Sequence, residues 1–248
     1  MANKYSYIFG GHAVVAEIHR PEEECGRILG STALPVTGGC ATAEVGPQEW
    51  LIPYRGYRNS FQSGSSSVSG VFTIDGDKSS AKTITSANLK GVNLLGRVTV
   101  DALSVELISE ASTEEDEPKF RFGGAHPDTG KQGEGVIIQG LRVDGIPVEV
   151  ECDRSALQVS GERWREAFHL FIARPIVKLS FPEDRRPSDV SIEHGNIIRI
   201  GDLRIHLGEL LISRAYRNVT LFRITVGEDQ RNLDMGGNVA DGPSGYPP

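Results

Sequence analysis

The sequence predicts an all-β protein, mainly antiparallel and sandwich-like, with at most one short helix. Three observations carry this. Within Val136–Val150, Asp144-Gly145 separates two apolar-alternating runs, and Asp-Gly in that position is a strong hairpin signal because a type I′ turn needs φ > 0 at both central residues. The pattern recurs: Ser66–Ile74, Asp75-Gly76 and Ser80–Ala87 read as a second hairpin, with Ala81, Thr83, Thr85 and Ala87 on one face. Composition agrees, since 29 glycines and 38% hydrophobic residues in a chain of 248 suit many short strands and turns better than long helices.

Taken in order, Lys4–Phe9 alternates as a strand, and Gly10-Gly11 sets residues 1–10 apart as an N-terminal arm from a β-rich body spanning 11–230. His12–Ile18 follows as a strand. Residues 26–64 read as irregular around a short strand at Glu49–Pro53. Val92–Ile108 is the longest apolar-periodic segment. Its phase moves from Val98, Val100 and Ala102 to Leu103, Val105 and Leu107, which predicts a β-bulge. The acidic loop at 113–118 is the candidate internal boundary. Ser160–Phe171 is the one stretch with helical spacing, Trp164, Phe168 and Phe171 falling at i, i+4 and i+7 behind a Ser160 N-cap. Ile176–Phe181, Ile197–Ile200, Leu203–Leu207, Leu210–Arg214 and Val219–Val226 read as further strands, with a tight turn at Gly201-Asp202. Residues 231–248, rich in Gly and Pro, read as an extended or disordered tail outside the core.

The net charge of −7 argues against a nucleic-acid partner, whose footprint is a basic face. No window approaches the roughly 18 apolar residues of a membrane-spanning helix, so no membrane insertion is expected. The first residues hold one Lys and no continuous apolar run, so no export signal is expected there. No phosphate-binding loop, nucleophile elbow or dinucleotide fingerprint stands in context, and the histidines form no metal-type pair. The expectation is a non-enzyme with no cofactor, metal or catalytic residue. Leu34–Gly38 matches the Leu-Pro-x-Thr-Gly sorting pattern but lies near the N-terminus, which favours a Pro/Gly loop. Cys25, Cys40 and Cys152 are too sparse for a disulfide scaffold; they are free thiols, or Cys25 and Cys40 form one bridge that leaves Cys152 out.

Two groups of residues stand out as candidate surfaces. Tyr5, Tyr7 and Phe9 place three aromatics on one face of the N-terminal strand, a candidate assembly interface. Tyr54, Arg55, Tyr57, Arg58 and Phe61 form an aromatic-basic cluster, a candidate patch for a glycan or a protein, or a site of cation–π packing with no ligand.

The segments Leu34–Gly39, Ser80-Ala81, Val92–Ala102 and Gly140–Gly145, in that order, resemble the choice-of-anchor P family of bacterial surface proteins. The resemblance implies a β-rich domain of the cell surface with no enzymatic role to transfer. The expected function is a structural β-protein, a self-assembling subunit of a bacterial surface layer, filament or appendage whose partner is itself. The expected place is the cell surface or an extracellular assembly, the cytoplasm being the alternative. The rival expectation is a carbohydrate- or protein-binding β-sandwich module.

Overall fold

Alternating apolar positions punctuated by glycine turns give strands throughout. The computed structural model describes residues 9–18, 27–52, 57–76, 78–112, 119–124, 135–157, 172–182, 185–213, 216–226, 231–233 and 238–241. A first sheet runs β16 (Val190–Glu193), β17 (Ile197–Ile200), β18 (Leu203–Ser213), β19 (Tyr216–Val226), β21 (Asn238–Asp241), β1 (Gly11–Ile18), β2 (Arg27–Ala33), with β14 (Ile172–Pro175) along β18 and β20 (Arg231–Leu233) along β19. A second sheet runs β12 (Ile146–Pro147), β11 (Arg142–Val143), β8 (Val98–Ser112), β7 (Lys78–Leu94), β5 (Tyr57–Phe61), β4 (Gln48–Ile52). In it β6 (Ser63–Asp75) and β3 (Gly39–Val45) are collinear with β5 and β4, and β9 (Lys119–Phe122) and β10 (Val136–Gln139) lie along β8. A separate pair joins β13 (Glu149–Cys152) to β15 (Val177–Ser180), and a 3-10 turn covers Arg154–Leu157. All pairings are antiparallel, as the all-β reading expects, and the two sheets share one apolar core.

Each sheet turns along a single transverse line. In the second sheet the line crosses Pro47, Gln62, Gly91, Asp101 and Gly140. On one side of it the buried positions include Val68, Ala87, Leu89, Leu103, Val105 and Val136; on the other they include Trp50, Phe61, Val92, Val98, Val100 and Leu141. Every strand shifts its buried phase by one residue at the same level. The register does not slip: Ser63↔Lys90 and Ser60↔Asn93, Lys90↔Ala102 and Val92↔Val100, and Gln139↔Ala102 and Arg142↔Thr99 continue unbroken ladders. A bulge would set two residues of one strand against one of its neighbour. Here each strand places one residue in the crease, so the phase shift visible in Val92–Ile108 belongs to the whole sheet.

The crease depends on alternate strands adopting a left-handed backbone, with φ of +61° at Gly91 and +66° at Gly140. A Cβ is penalised in that conformation. It would also collide with a neighbour, since the side chain of Gln62 covers Gly91 and that of Asp101 covers Gly140. The first sheet repeats the device across Ile176, Gly208, Leu221, Val15 and Gly30, with φ of +58° at Gly208 and +60° at Gly30. Its ladders also keep register across the line, as Leu207↔Phe222 with Glu209↔Thr220 and Val14↔Ser31 with Ala16↔Leu29 show. In this sheet the interleaved side chains are apolar and fully buried.

The crease of the first sheet touches the second sheet at Val15. A Cβ on Gly30 would lie 2.6 Å from Val15 Cγ2, and one on Gly64, in β6 of the second sheet, would overlap Val15 Cγ1. Val15 therefore fills a hole that two glycines leave open, one in each sheet. The sheets approach closely enough there for Ser66 Oγ to donate to the carbonyl of Gly30 at 2.7 Å and to contact Thr32 Oγ1 at 3.1 Å.

The Asp144-Gly145 turn forms with φ of +50° and +79°, but its arms are short. Arg142↔Pro147 and Val143↔Ile146 pair across it and the Val148 amide donates to the Leu141 carbonyl at 2.9 Å, while Val136–Gln139 pairs with β8 and Glu149–Cys152 with β15. The second hairpin forms, from Asp75↔Lys78 to Ser63↔Lys90, but its turn is one residue later than expected: Asp75 is the last paired residue of β6, and Gly76, at φ +62°, opens the turn. Four expectations need correction. Among the described residues, 27–52 and 57–64 are not irregular but hold β2–β5 and the start of β6. The chain at 113–118 is outside the described residues, but the strands on either side of it pair within one sheet, Glu110 opposite Lys119, so the flanking strands do not belong to separate domains. Leu203–Leu207 and Leu210–Arg214 are not two strands but one, creased at Gly208. The tail supplies β20 and β21; Asn238–Asp241 fills the position between β1 and β19, where two edges would otherwise lie open. The helical expectation at Ser160–Phe171 lies outside the described residues.

Arg97 ties the two sheets at one end. It closes the β7–β8 turn, its carbonyl accepts from the Asp144 amide at 2.8 Å, and its guanidinium grips the carboxylates of Asp144 (Nε–Oδ1 2.9 Å) and Asp189 (Nη1–Oδ2 2.6 Å). Asp189 leads into β16 of the first sheet. The hydrogen bonds from Arg97 hold both carboxyl groups below the usual carboxylate range. Because folding depresses them, their contribution is present above that range and is lost as pH falls through their folded values. Stability should therefore drop below about pH 4, and the drop should be shallower in Arg97→Gln, as read from urea midpoints across an acid series. A second expectation isolates packing from backbone strain: Gly64→Ala should destabilise, and in Val15→Ala the same substitution should cost less, a coupling of about 0.5–3 kcal/mol in a double-mutant cycle.

Candidate functional site

The candidate surfaces named from the sequence separate once the strands are placed. Phe9 is buried at 4% exposure, its amide bonded to the Val36 carbonyl at 3.1 Å. Its ring occupies the space over Gly38 and Gly70, so it is a core anchor and not part of a displayed interface. Gly10-Gly11 is not a hinge either: the β1–β2 ladder continues through it, with the Leu34 amide donating to the Gly11 carbonyl at 2.8 Å. Tyr5 and Tyr7 lie outside the described residues.

The aromatic-basic cluster divides by strand alternation. Phe61 points inward, 2% exposed, against the Trp50 ring 6.1 Å away. Arg58 points outward and pairs with Glu49 at 3.0 Å. Tyr57 enters only through its backbone register opposite Ile52, and Tyr54 and Arg55 lie outside the described residues. The five residues do not form one patch. Cys40 is a free, exposed thiol on β3, so the Cys25–Cys40 bridge is not made, and Cys152 lies half-buried on β13; Cys25 itself lies outside the described residues. Leu34–Gly38 is a loop between β2 and β3, closed by the Gly38 amide on the Pro35 carbonyl at 2.9 Å.

The feature that sequence reasoning passed over is the far end of β6. Beyond Gly70, β3 no longer pairs with β6, and Val71–Asp75 is paired, among the described residues, with β7 alone. This end is apolar on both faces: Val71 is 59% exposed, Phe72 40% and Ile74 69%. A signal was there. Ser63–Gly70 alternates small polar residues, and Val71-Phe72-Thr73-Ile74 breaks that alternation just before the turn. The Phe9 ring sits on Gly70, where this stretch begins.

The outer face of the first sheet holds the densest polar chemistry. The Arg223 guanidinium grips Glu209 (Nε–Oε2 2.9 Å, Nη2–Oε1 2.8 Å), and His206 stands between Glu209 (3.2 Å) and the Thr225 hydroxyl (3.2 Å). Burial opposes ionisation of Glu209, but hydrogen bonds from His206 and Arg223 outweigh it and hold its carboxyl below the usual range. The group is a neutralised, mutually bonded network. Among the described residues, no three His, Cys, Asp or Glu side chains are grouped to hold a metal ion.

The chain belongs to the family of DUF8256, a domain of unknown function, whose family profile matches residues 5–171. That span takes in the whole second sheet together with β1 and β2. No curated protein and no solved structure matches the chain.

The contrast between anchor and tip is measurable. Phe9→Ala should destabilise by about 3–5 kcal/mol, as for a large buried aromatic. Ile74→Lys should stay within about 0.5 kcal/mol, as for an exposed position. Chemical denaturation of both variants tests the assignment.

Proposed function

We propose that this protein is a non-enzymatic structural β-protein, a self-assembling subunit of a bacterial surface layer, filament or appendage. Copies join by adding the N-terminal strand of one, carrying Tyr5 and Tyr7, to the Val71–Asp75 edge of the next. The observation that carries the reading is that edge, which combines one-sided pairing among the described residues with exposed Val71 and Ile74. Sheet edges are templates for a further strand, and natural proteins normally blunt them with charge or cover. An added strand gains backbone hydrogen bonds along the edge and buries alternate side chains. Each large apolar side chain so buried contributes roughly 1.5–3 kcal/mol. Donor and acceptor are different surfaces, so the contact is head-to-tail, and where the rotation does not close it propagates as a filament.

Sedimentation and negative-stain microscopy test this on the full chain and two variants, one lacking residues 1–8 and one carrying Val71→Lys with Ile74→Lys. The full chain should form high-mass species, and both variants should be folded monomers. A monomeric full chain overturns the reading, and so does assembly unchanged in the edge variant.

A further inference from the structure

We propose that in each unassembled subunit the Val71–Asp75 edge is capped by the chain's own residues 4–8, antiparallel, with Ile8 beside Val71 and Lys4 beside Asp75. Assembly then proceeds by exchange of this strand; the exchange rests on the assembly reading, the cap does not. The position beside β6 is filled by β3 from Gly64 to Gly70, because the chain enters β3 at Gly39. It arrives there from the first sheet, crossing by the Leu34–Gly38 loop that joins β2 to β3. Phe9 stands at the same crossing. Its amide donates to the Val36 carbonyl at 3.1 Å, and a Cβ on Gly38 or Gly70 would lie 3.1 Å or 2.8 Å from its ring. Residue 8 is bonded to Phe9, about 3.8 Å from it between Cα atoms. Lys4–Ile8 has the same five-residue length as Val71–Asp75.

Side-chain alternation fixes the register. Directly opposed residues of an antiparallel pair share a face. With Phe9 level with Gly70, Tyr7 stands opposite Phe72 and Tyr5 opposite Ile74, on the inner side that buried Val68 and Gly70 define. Phe9 is itself buried on that side, and alternation sends Tyr5 and Tyr7 there with it. Ser6 then stands opposite Thr73 on the outer side. A slip of one residue would turn both tyrosines outward. Lys4 meets Asp75, and these are the only charged side chains in the two segments. The cap is autoinhibitory, because the strand that would join a neighbour is held on its own edge. Phe9 is its latch, since the ring must leave the space over Gly38 and Gly70 before the strand can move. Exchange of an identical element remakes the same contacts between copies.

Disulfide trapping tests this on the full chain, with Cys25→Ser, Cys40→Ser and Cys152→Ser as background and oxidised glutathione as the oxidant. One variant adds Ser6→Cys with Thr73→Cys, an opposed pair whose Cα atoms, about 4.5–5.5 Å apart, suit a disulfide. The other adds Ser6→Cys with Ile74→Cys, which the register places on opposite faces. In the monomer fraction from gel filtration at low concentration, the first pair should bond within one chain and the second should not. No intrachain bond in the first variant overturns the cap, and so does trapping of the second pair in its place. An intrachain bond in a protein that never reaches high mass when reduced supports the cap and overturns the assembly reading. High-mass species whose monomer fraction lacks the bond do the reverse. Amide exchange checks the cap without cysteine substitutions. Across Val71–Asp75 it should be about threefold to tenfold slower in the dilute unmodified chain than in the chain lacking residues 1–8, as for one hydrogen bond. Equal rates overturn the cap.

Discussion

The constraint on which the rest of this fold depends is that each sheet must turn without losing register. A strand of 15 or 17 residues, as in β8 and β7, is too long to stay on one core in a single phase. The turn is made by giving up one residue per strand at one level, so the ladders on both sides keep the same pairing. That needs a left-handed residue on alternate strands and a neighbour that fills the space above it. Gly91 with Gln62 and Gly140 with Asp101 do this with polar side chains, while Gly208 and Gly30 are interleaved with Ile176, Leu221 and Val15. Val15, on the crease of the first sheet, packs into the space at Gly64, two residues beyond Gln62 of the second sheet's crease. The same bend opens grooves on the outer faces, one along Pro175, Glu209 and Thr220 and another along Val45, Gly46, Ser63 and Lys90.

Local turns were legible in the sequence because their chemistry is local. Asp144-Gly145 needs φ > 0 at both residues and the second hairpin at Gly76, within a few residues of the strands they join, and no distant partner changes that. The phase shift at Ala102-Leu103 was legible too, but its meaning was not. Read alone it is a bulge; only the same shift in the paired strands makes it a crease, and pairing between residues as far apart as Asp101 and Gly140 leaves no periodic trace in one chain. Gly91, Gly208 and Gly46-Pro47 look like strand ends for the same reason. The tail was misjudged because Asn-Val-Ala-Asp has little pattern of its own. What recruits it is the gap between β1 and β19, a property of the assembled sheet.

The candidate sites were harder to read, since alternation decides which side chains are displayed. Arg58 and Phe61 are three residues apart and so point to opposite faces, which breaks a cluster that looks continuous in sequence. Phe9 alternates with Tyr5 and Tyr7, yet Gly38 and Gly70 leave room for its ring, and burial follows that room. Glu209, Arg223 and His206 come from two strands paired in antiparallel register, and their meeting depends on that register. The result is a division of labour. The inner faces and the Val15 lock hold the fold, the tip of β6 offers an apolar edge, and the outer face of the first sheet offers fixed polar groups.

The crease is the claim on which these assignments rest, and interstrand nuclear Overhauser effects along β7 and β8 test it most directly. The account requires contacts between Lys90 and Ala102 on one side and between Val92 and Val100 on the other, so that partner numbers run in one unbroken register through Gly91 and Asp101. A one-residue offset between the two sides, such as Val92 opposite Asp101, would mean a bulge in a single strand and would contradict it.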